Sequence, residues 1–440
     1  MTIAVFLLSL CGTMAFGLPV AFALIVCGLA LMLHMGIFDS QIVALKLIEG
    51  ADNFQLLAVP FFLLAGELMN AGGLSKRIVA FAVSLVGHRH GGLGYVAIFA
   101  AIIMASLSGS AAADTAALAA ILIPMMRDAG YNVPRSAGLI ASGGIIAPVI
   151  PPSIGFIVFG VAANVSITQL FLAGIFPGLL MGLSLVLAWM IVARGDKVAV
   201  LPRQPWRLRG RAFLDGFFAL LMPVIILGSI RFGWATPTEA AVFAAVYALF
   251  VGMFIYRELR IRDLYGVFLV AAKTTAVVMF LVAAALISAW LITQANIPAE
   301  LGAIVQPLKD QPKLLMFVLM LLVVVVGTAL DFAPTVLILT PILMPIVQEA
   351  GINPVYFGVL FIMNNAIGLI TPPVGIVLNV VCGVGRVPMG AVMRGVLPFL
   401  LAQTAVLFWL VMFPQWVIAP LNWLRDRITF VEMLQAMFWF

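Results

Sequence analysis

Apolar residues run through this chain in long, nearly unbroken blocks, such as 316–330 (MFVLMLLVVVVGTAL) and 395–413 (GVLPFLLAQTAVLFWLVMF). A bilayer core about 30 Å thick takes roughly 20 apolar residues per helix. On that measure the blocks predict crossings near 2–17, 18–35, 54–72, 136–164 and 167–193, then near 216–232, 237–256, 266–293, 355–384 and 394–414. A transmembrane β-barrel would instead show short alternating segments. The pattern is that of an all-α polytopic membrane protein.

One long polar stretch interrupts the blocks, 194–215, and it divides the chain into halves that resemble each other. LIPMMRDAGYN (122–132) answers LMPIVQEAGIN (343–353), so that Pro124 meets Pro345 at 221 residues' distance, Asp128 meets Glu349 and Asn132 meets Asn353. The same offset lays Pro151-Pro152 on Pro372-Pro373, and earlier GLPVAFA (17–23) answers ATPTEAA (235–241), with Pro19 opposite Pro237. One offset that preserves Pro, Gly, Asn and acidic positions together reads as an internal duplication. The first repeat is expected over 1–193, a basic linker over 194–215, the second repeat over 216–415 and an interfacial extension over 416–440. An odd number of crossings per half inverts the second copy relative to the first, a construction frequent in secondary transporters.

Two segments, 94–127 and 314–347, begin and end on the same side in this scheme and are expected to be re-entrant hairpins. Their midpoints are small and polar, SLSGSAAADTAA (106–117) and GTALDFAPT (327–335). Irregular backbone at membrane depth is tolerated where protein or a water-filled cavity covers it. The tips therefore read as binding elements, the alternative being a seam of small residues that packs helices.

Charge adds orientation. The chain has 440 residues, 64% hydrophobic and only 9% charged, with mean hydropathy +1.22. Too little polar surface exists for a soluble enzyme or a nucleic-acid binder, which carries roughly 25% charged residues. Lys and Arg concentrate in cytoplasmic loops, so the basic 194–215 segment is placed in the cytoplasm. Both termini then fall on the periplasmic side, and the N-terminal MTIAVFLLSL reads as a retained first helix. Most of the 23 Lys and Arg follow this assignment. Cys11, Cys27 and Cys382 lie in apolar runs and suggest neither a disulfide framework nor a metal site. His88-Arg89-His90 reads as a solvated basic loop.

Chemistry is expected behind the hairpins, where GGIIAPVIPPSIG (143–155) and NAIGLITPPVG (365–375) interrupt helices. Proline removes a donor and clashes with the preceding turn. Freed carbonyls at such breaks suit an alkali cation, and the half-helix N-termini after them, at Ser153 and Val374, suit an anion. A kinked structural helix is the alternative for either break alone. Ionisable residues inside membrane segments are functional candidates: Asp114 and Asp331 at the hairpin tips, then Glu67, also readable as polar glue, and Lys273, also readable as a snorkelling side chain. TPTEA (236–240) reads as a capped helix start with Glu239 in its first turn. No GxxxxGK[ST], HExxH, GxSxG or CxxC occurs, so neither an ATPase nor an intramembrane enzyme is indicated.

SLSGSAAADTAALAAILIPMM, ASGGIIAPVIPPSI, DFAPTVLILTPILMP and NNAIGLITPPVG resemble the DctM-like large membrane subunit of tripartite ATP-independent periplasmic (TRAP) transporters. The resemblance runs to about residue 424 and is strongest toward permeases for sugar acids such as diketogulonate. It implies a sodium-coupled, elevator-type importer of a small organic acid in the bacterial inner membrane. It also implies two partners, a small four-helix membrane subunit and a periplasmic solute-binding protein. Carried onto this chain, one sodium site uses Ser108 and Ser110 with carbonyls around Ala147, Ile150 and Pro152. A second uses Gly368, Thr371 and Pro373 with Thr328. Asp114, Asp331, Asn365 and Ser153 flank the substrate path. The family often has Gly at the position of Ala147. A self-sufficient sodium–anion symporter and a passive channel are the competing readings.

Overall fold

The computed structural model describes residues 2–195, 198–298, 300, 302, 306–308, 310–372 and 375–425. Among these residues the regular structure is entirely helical. The first half holds α1 (Thr2–Ala15), α2 (Val20–Met35), α3 (Ser40–Ala51), a 3₁₀ turn (Phe54–Leu57) leading into α4 (Ala58–Ala71), α5 (Leu74–Val86), α6 (Gly92–Ser108), α7 (Ala111–Asp128), α8 (Val133–Gly144), α9 (Ile154–Ala163) and α10 (Ile167–Val192). The second holds α11 (Trp206–Arg231), α12 (Pro237–Phe250) with a π-helical turn at its end (Val251–Ile255), α13 (Ile261–Gln294), α14 (Pro312–Ala329), α15 (Phe332–Glu349), α16 (Pro354–Gly368), α17 (Ile376–Gly385) and α18 (Met389–Met412).

Seven of these segments are long and apolar enough to cross a membrane, α10, α11, α13 and α18 among them, and several shorter helices are equally apolar. The stretches expected as crossings at 136–164 and 355–384 are each two helices separated by a break, α8 with α9 and α16 with α17. Local chemistry explains the boundaries. The Asn132 side chain caps α8, Asn353 caps α16, and Pro134 and Pro354 occupy first-turn positions where a missing N–H costs nothing. Thr236 and Glu239 form the expected helix start as a reciprocal capping box.

Four elements differ from the sequence expectation. Helices α3 and α5 are short, and their mixed polarity hid them from a reading keyed to 20-residue apolar runs. The linker is shorter than 194–215, because α11 begins at Trp206 and carries Arg207, Arg209 and Arg211 on its opening turns. Finally α13 starts at Ile261 rather than near 266. Residues 415–425 are helical, while 426–440 lie outside the described residues.

A shift of 221 residues lays α7 on α15 end for end, and α6, α8, α9 and α10 on α14, α16, α17 and α18 to within a few residues. The same shift places α3 and α4 inside the single helix α13. Packing crosses between the halves. Helix α7 packs on α17 of the other half, and α15 packs on α9 of the first. Helices α6 and α14 lie along α8 and α16, and α18 lies along α8 and α10. On the opposite flank α4 packs on α12, and α13 on α2, α3 and α4.

Candidate functional site

The crossed packing brings the turns between α6 and α7 and between α14 and α15 to one cavity of about 730 Å³. Ser110 lines it from the first turn and Asp331 from the second. These two residues stand 221 apart, and each is the N-cap of the helix that follows. Both helix breaks contribute too, through Pro148 and Leu369. The remaining wall comes from Phe22 of α2, Leu63 of α4 and the Thr274–Phe280 stretch of α13. Of these three, α4 and α13 carry the sequence candidates Glu67 and Lys273, neither of which lines the cavity, and α2 carries none. No ionisable side chain except Asp331 lines the cavity among the described residues.

At the first tip, Ser108 Oγ donates to Asp114 Oδ1 at 2.5 Å and accepts from the Ser110 amide at 3.1 Å. Ser110 Oγ accepts from the Ala113 amide at 3.4 Å and caps α7. Gly109 between them has φ +62°, a left-handed conformation that Gly adopts without penalty. The turn presses on the break behind it so closely that a Cβ at Gly109 would lie 2.5 Å from the Pro152 carbonyl oxygen. The structure thus brings Ser108, Ser110, Pro152 and Ser153 together.

Within that break the polar groups are partly spent. Ser153 is fully buried, donates to the Pro148 carbonyl at 2.5 Å and accepts from the Phe156 amide at 3.1 Å. It caps α9 and does not line the cavity. Ala147 and Ile150 are buried, the Ile150 side chain against α10 at Gly178. Asp114 is 2% exposed, and its Oδ2 has no hydrogen-bond partner among the described residues. An isolated carboxylate in an apolar interior is strongly penalised. Hydroxyls, carbonyls and one buried carboxylate oxygen form a hard-oxygen set of the kind alkali cations select.

The second tip is built differently. Gly327 near the end of α14 meets Gly368 at the end of α16, where a Cβ on Gly368 would lie 3.1 Å from the Gly327 carbonyl oxygen. Thr328 Oγ1 donates to the Val325 carbonyl at 2.7 Å, and Thr371 Oγ1 donates to the Ile367 carbonyl at 2.8 Å. Both hydroxyls are half-buried and bond back into their own helices. The Leu369 carbonyl accepts from the Val377 amide at 3.1 Å, which closes this break. Pro373 lies outside the described residues.

Asp331 is exposed, and its side chain does not cap α15. Asp114 sits one turn inside α7, so the repeat partner of Asp331 is Ser110 rather than Asp114. Asn365 is 2% exposed, donates to the Phe361 carbonyl at 2.9 Å, has no partner for its Oδ1 among the described residues, and does not line the cavity. Glu67 is half-buried on the same face of α4 as Leu63, one turn along. Lys273 is exposed on α13.

Known proteins agree with this architecture. Residues 7–416 match the family model of the tripartite ATP-independent periplasmic transporter, DctM component. The 2,3-diketo-L-gulonate TRAP transporter large permease protein of Escherichia coli is 55% identical over 97% of this chain and 100% of its own length. The sialic acid TRAP transporter large permease protein of Vibrio cholerae is 39% identical over 92% of this chain and 95% of its own. A C4-dicarboxylate TRAP transporter large permease protein of Pseudomonas aeruginosa is 40% identical over 87% and 89%. Among solved structures, the YdaH transporter of Alcanivorax borkumensis superposes with TM-score 0.55 over 87% of this chain and 88% of its own at 14% identity, a likeness of fold. By the extent of these matches the chain belongs to the DctM family of TRAP transporter large permeases, a family of membrane transport proteins and not of enzymes.

Proposed function

We propose that this chain is the large permease subunit of a sodium-coupled, tripartite importer of a small organic acid in the bacterial inner membrane. The observation that carries the reading is the cavity walled by both turns and both helix breaks. A site assembled in duplicate from two halves suits alternating access, which a passive pore does not need. The matching helix boundaries at a shift of 221 residues support a duplication, and the five crossings expected in each half would make it inverted.

In this reading α6–α7 and α14–α15 are re-entrant hairpins that travel with the broken helices as one unit. The flank of α2, α4, α12 and α13 is the scaffold past which that unit slides, elevator fashion. Sodium binds between Ser108, Ser110 and the carbonyls near Ala147, Ile150 and Pro152, and again between Thr328, Gly368, Thr371 and Pro373. Asp114 lends negative charge to the first of these sites. Ser110, Asp331 and Thr274 offer the acid its polar contacts. The relatives named for a diketogulonate, sialic acid and a C4-dicarboxylate support a small organic acid as the substrate. A sugar acid is the leading class, on the 55% identity. The tripartite family supplies the two partners, a small four-helix membrane subunit and a periplasmic solute-binding protein.

The test is uptake into proteoliposomes holding this chain with its small subunit, with binding protein and candidate acids outside. Accumulation is expected only with an inward sodium gradient and only with binding protein present. Full-rate uptake of free substrate by the isolated chain would establish the self-sufficient symporter instead. Uptake that merely equilibrates, whatever the sodium gradient, would establish a channel.

A further inference from the structure

A second hollow, of about 790 Å³, shares no lining residue with the first cavity and lies where the start of α5 meets the N-terminal part of α11 and the π-helical end of α12. Its wall carries Lys76, Arg77 and Arg211 against Asp215 and Glu258. The floor is rigidly built. Arg77 Nη1 donates to Glu258 Oε1 at 2.6 Å and to the Gly73 carbonyl at 3.0 Å, and its guanidinium lies 3.8 Å over the Tyr256 ring. The Glu258 carboxylate rests directly on Gly73, and the backbones of Gly72 and Gly252 touch beneath it.

Arg77 and Glu258 therefore neutralise one another. Lys76 and Arg211 remain, both exposed and without an ion pair among the described residues, opposed by Asp215 alone. The hollow keeps a net positive charge that its own side chains leave unbalanced. Its position along α11 matters equally. Leu208 and Leu214, on the same wall, are 50% and 68% exposed, with Trp206 and Phe213 exposed beside them. Here the basic opening turns of α11 give way to its apolar run, which places the hollow at headgroup depth, where amphipathic aromatics collect.

We propose that this hollow holds the phosphodiester of an anionic phospholipid. Lys76 and Arg211 take the phosphate oxygens, Arg matching them bidentately, while Arg77 stays paired with Glu258 in the floor. Asp215, an acceptor only, receives the hydroxyls of a glycerol headgroup. The acyl chains run from Leu214 past Phe218 toward the apolar run of α11. Basic pockets between membrane helices are a recurrent headgroup site, and charge balance favours an anionic over a zwitterionic lipid. A free phosphate would satisfy the same cations but would leave the apolar wall uncovered.

The experiment uses the purified full-length chain in detergent, delipidated and then offered phosphatidylglycerol, phosphatidylcholine or inorganic phosphate. Retained lipid is read by native mass spectrometry, and melting temperature by intrinsic fluorescence. Phosphatidylglycerol is expected to stay bound and raise the melting temperature, whereas the other two do neither. Lys76→Gln and Arg211→Gln should each weaken retention about fivefold, and the pair about thirtyfold, as expected for one surface cation each. The melting temperature of the lipid-free variants should match that of the lipid-free parent, since neither side chain holds a structural partner. Undiminished retention by the double variant overturns the proposal. So does a full effect from inorganic phosphate, which makes this a free-anion site. Loss of phosphatidylglycerol on adding the small membrane subunit overturns it as well, because the hollow is then a protein interface.

Discussion

Replacing Gly109 by Ala tests whether contact between hairpin tip and helix break builds the first ion site. The residue sits at φ +62°, where a side chain costs about 1–2 kcal/mol. The new Cβ would lie 2.5 Å from the Pro152 carbonyl oxygen, 3.2 Å from the Ile154 nitrogen and 3.3 Å from Ser153 Cα. All three are backbone atoms that no rotamer change moves aside. The tip must retreat by roughly an ångström, and overpacking of this kind adds about 1–3 kcal/mol. The expected total is about 2–5 kcal/mol. Gly130→Ala is the control, since Gly130 has φ +80° but nothing within 4 Å of the added carbon. It bears the conformational cost alone. Melting temperatures of the two purified variants, and the sodium concentration that gives half-maximal uptake in proteoliposomes, separate the terms. Gly109→Ala should melt lower than Gly130→Ala and need several-fold more sodium, because the Ser108 and Ser110 oxygens move away from Pro152. If the two variants match in both measurements, the tip–break contact does not shape the site.

Ser110→Ala and Thr371→Val each remove one hydroxyl, and both should raise the sodium requirement for uptake. Ser110→Ala also loses a helix cap worth about 1 kcal/mol, so unchanged sodium dependence in the double variant, despite normal insertion, removes the basis for both ion sites. Ser108→Ala takes away the one hydrogen bond that the Asp114 carboxylate makes among the described residues. It should cost about 1–3 kcal/mol in thermal melting without sodium, and a melting temperature equal to the parent's would show that Asp114 has another partner. A cysteine introduced at Arg207 should resist an impermeant thiol reagent added outside intact cells, and ready labelling would reverse the orientation of the whole chain.

The features most legible in the sequence were those written in backbone chemistry. Pro151 and Pro372 announced two broken helices, and Thr236 with Glu239 announced a helix start, because prolines and capping side chains act on their own neighbours. Helices α3 and α5 were missed for the opposite reason. Each is too short and too polar to register as a crossing, and what places it is its packing on α13 or α11. The candidate site was legible as two tips and two breaks but not as a constellation. Ser153 reads as an anion contact from its place before a half-helix, yet its hydroxyl is committed to Pro148 and Phe156. The Gly327–Gly368 approach and the cavity wall at Thr274 of α13 join residues distant in sequence, and no local pattern encodes such pairings.

The crossed packing of α7 on α17 and of α15 on α9 has a consequence for assembly. Each half offers one arm and receives the other's, like two hands clasped. Neither arm is fully covered until the whole chain has been synthesised, so the last helices to leave the ribosome complete an interface begun by the early ones. Quality control of a truncated product would find that unclaimed surface on α7 and α9. A free-standing half could cover it only by finding a second half to clasp.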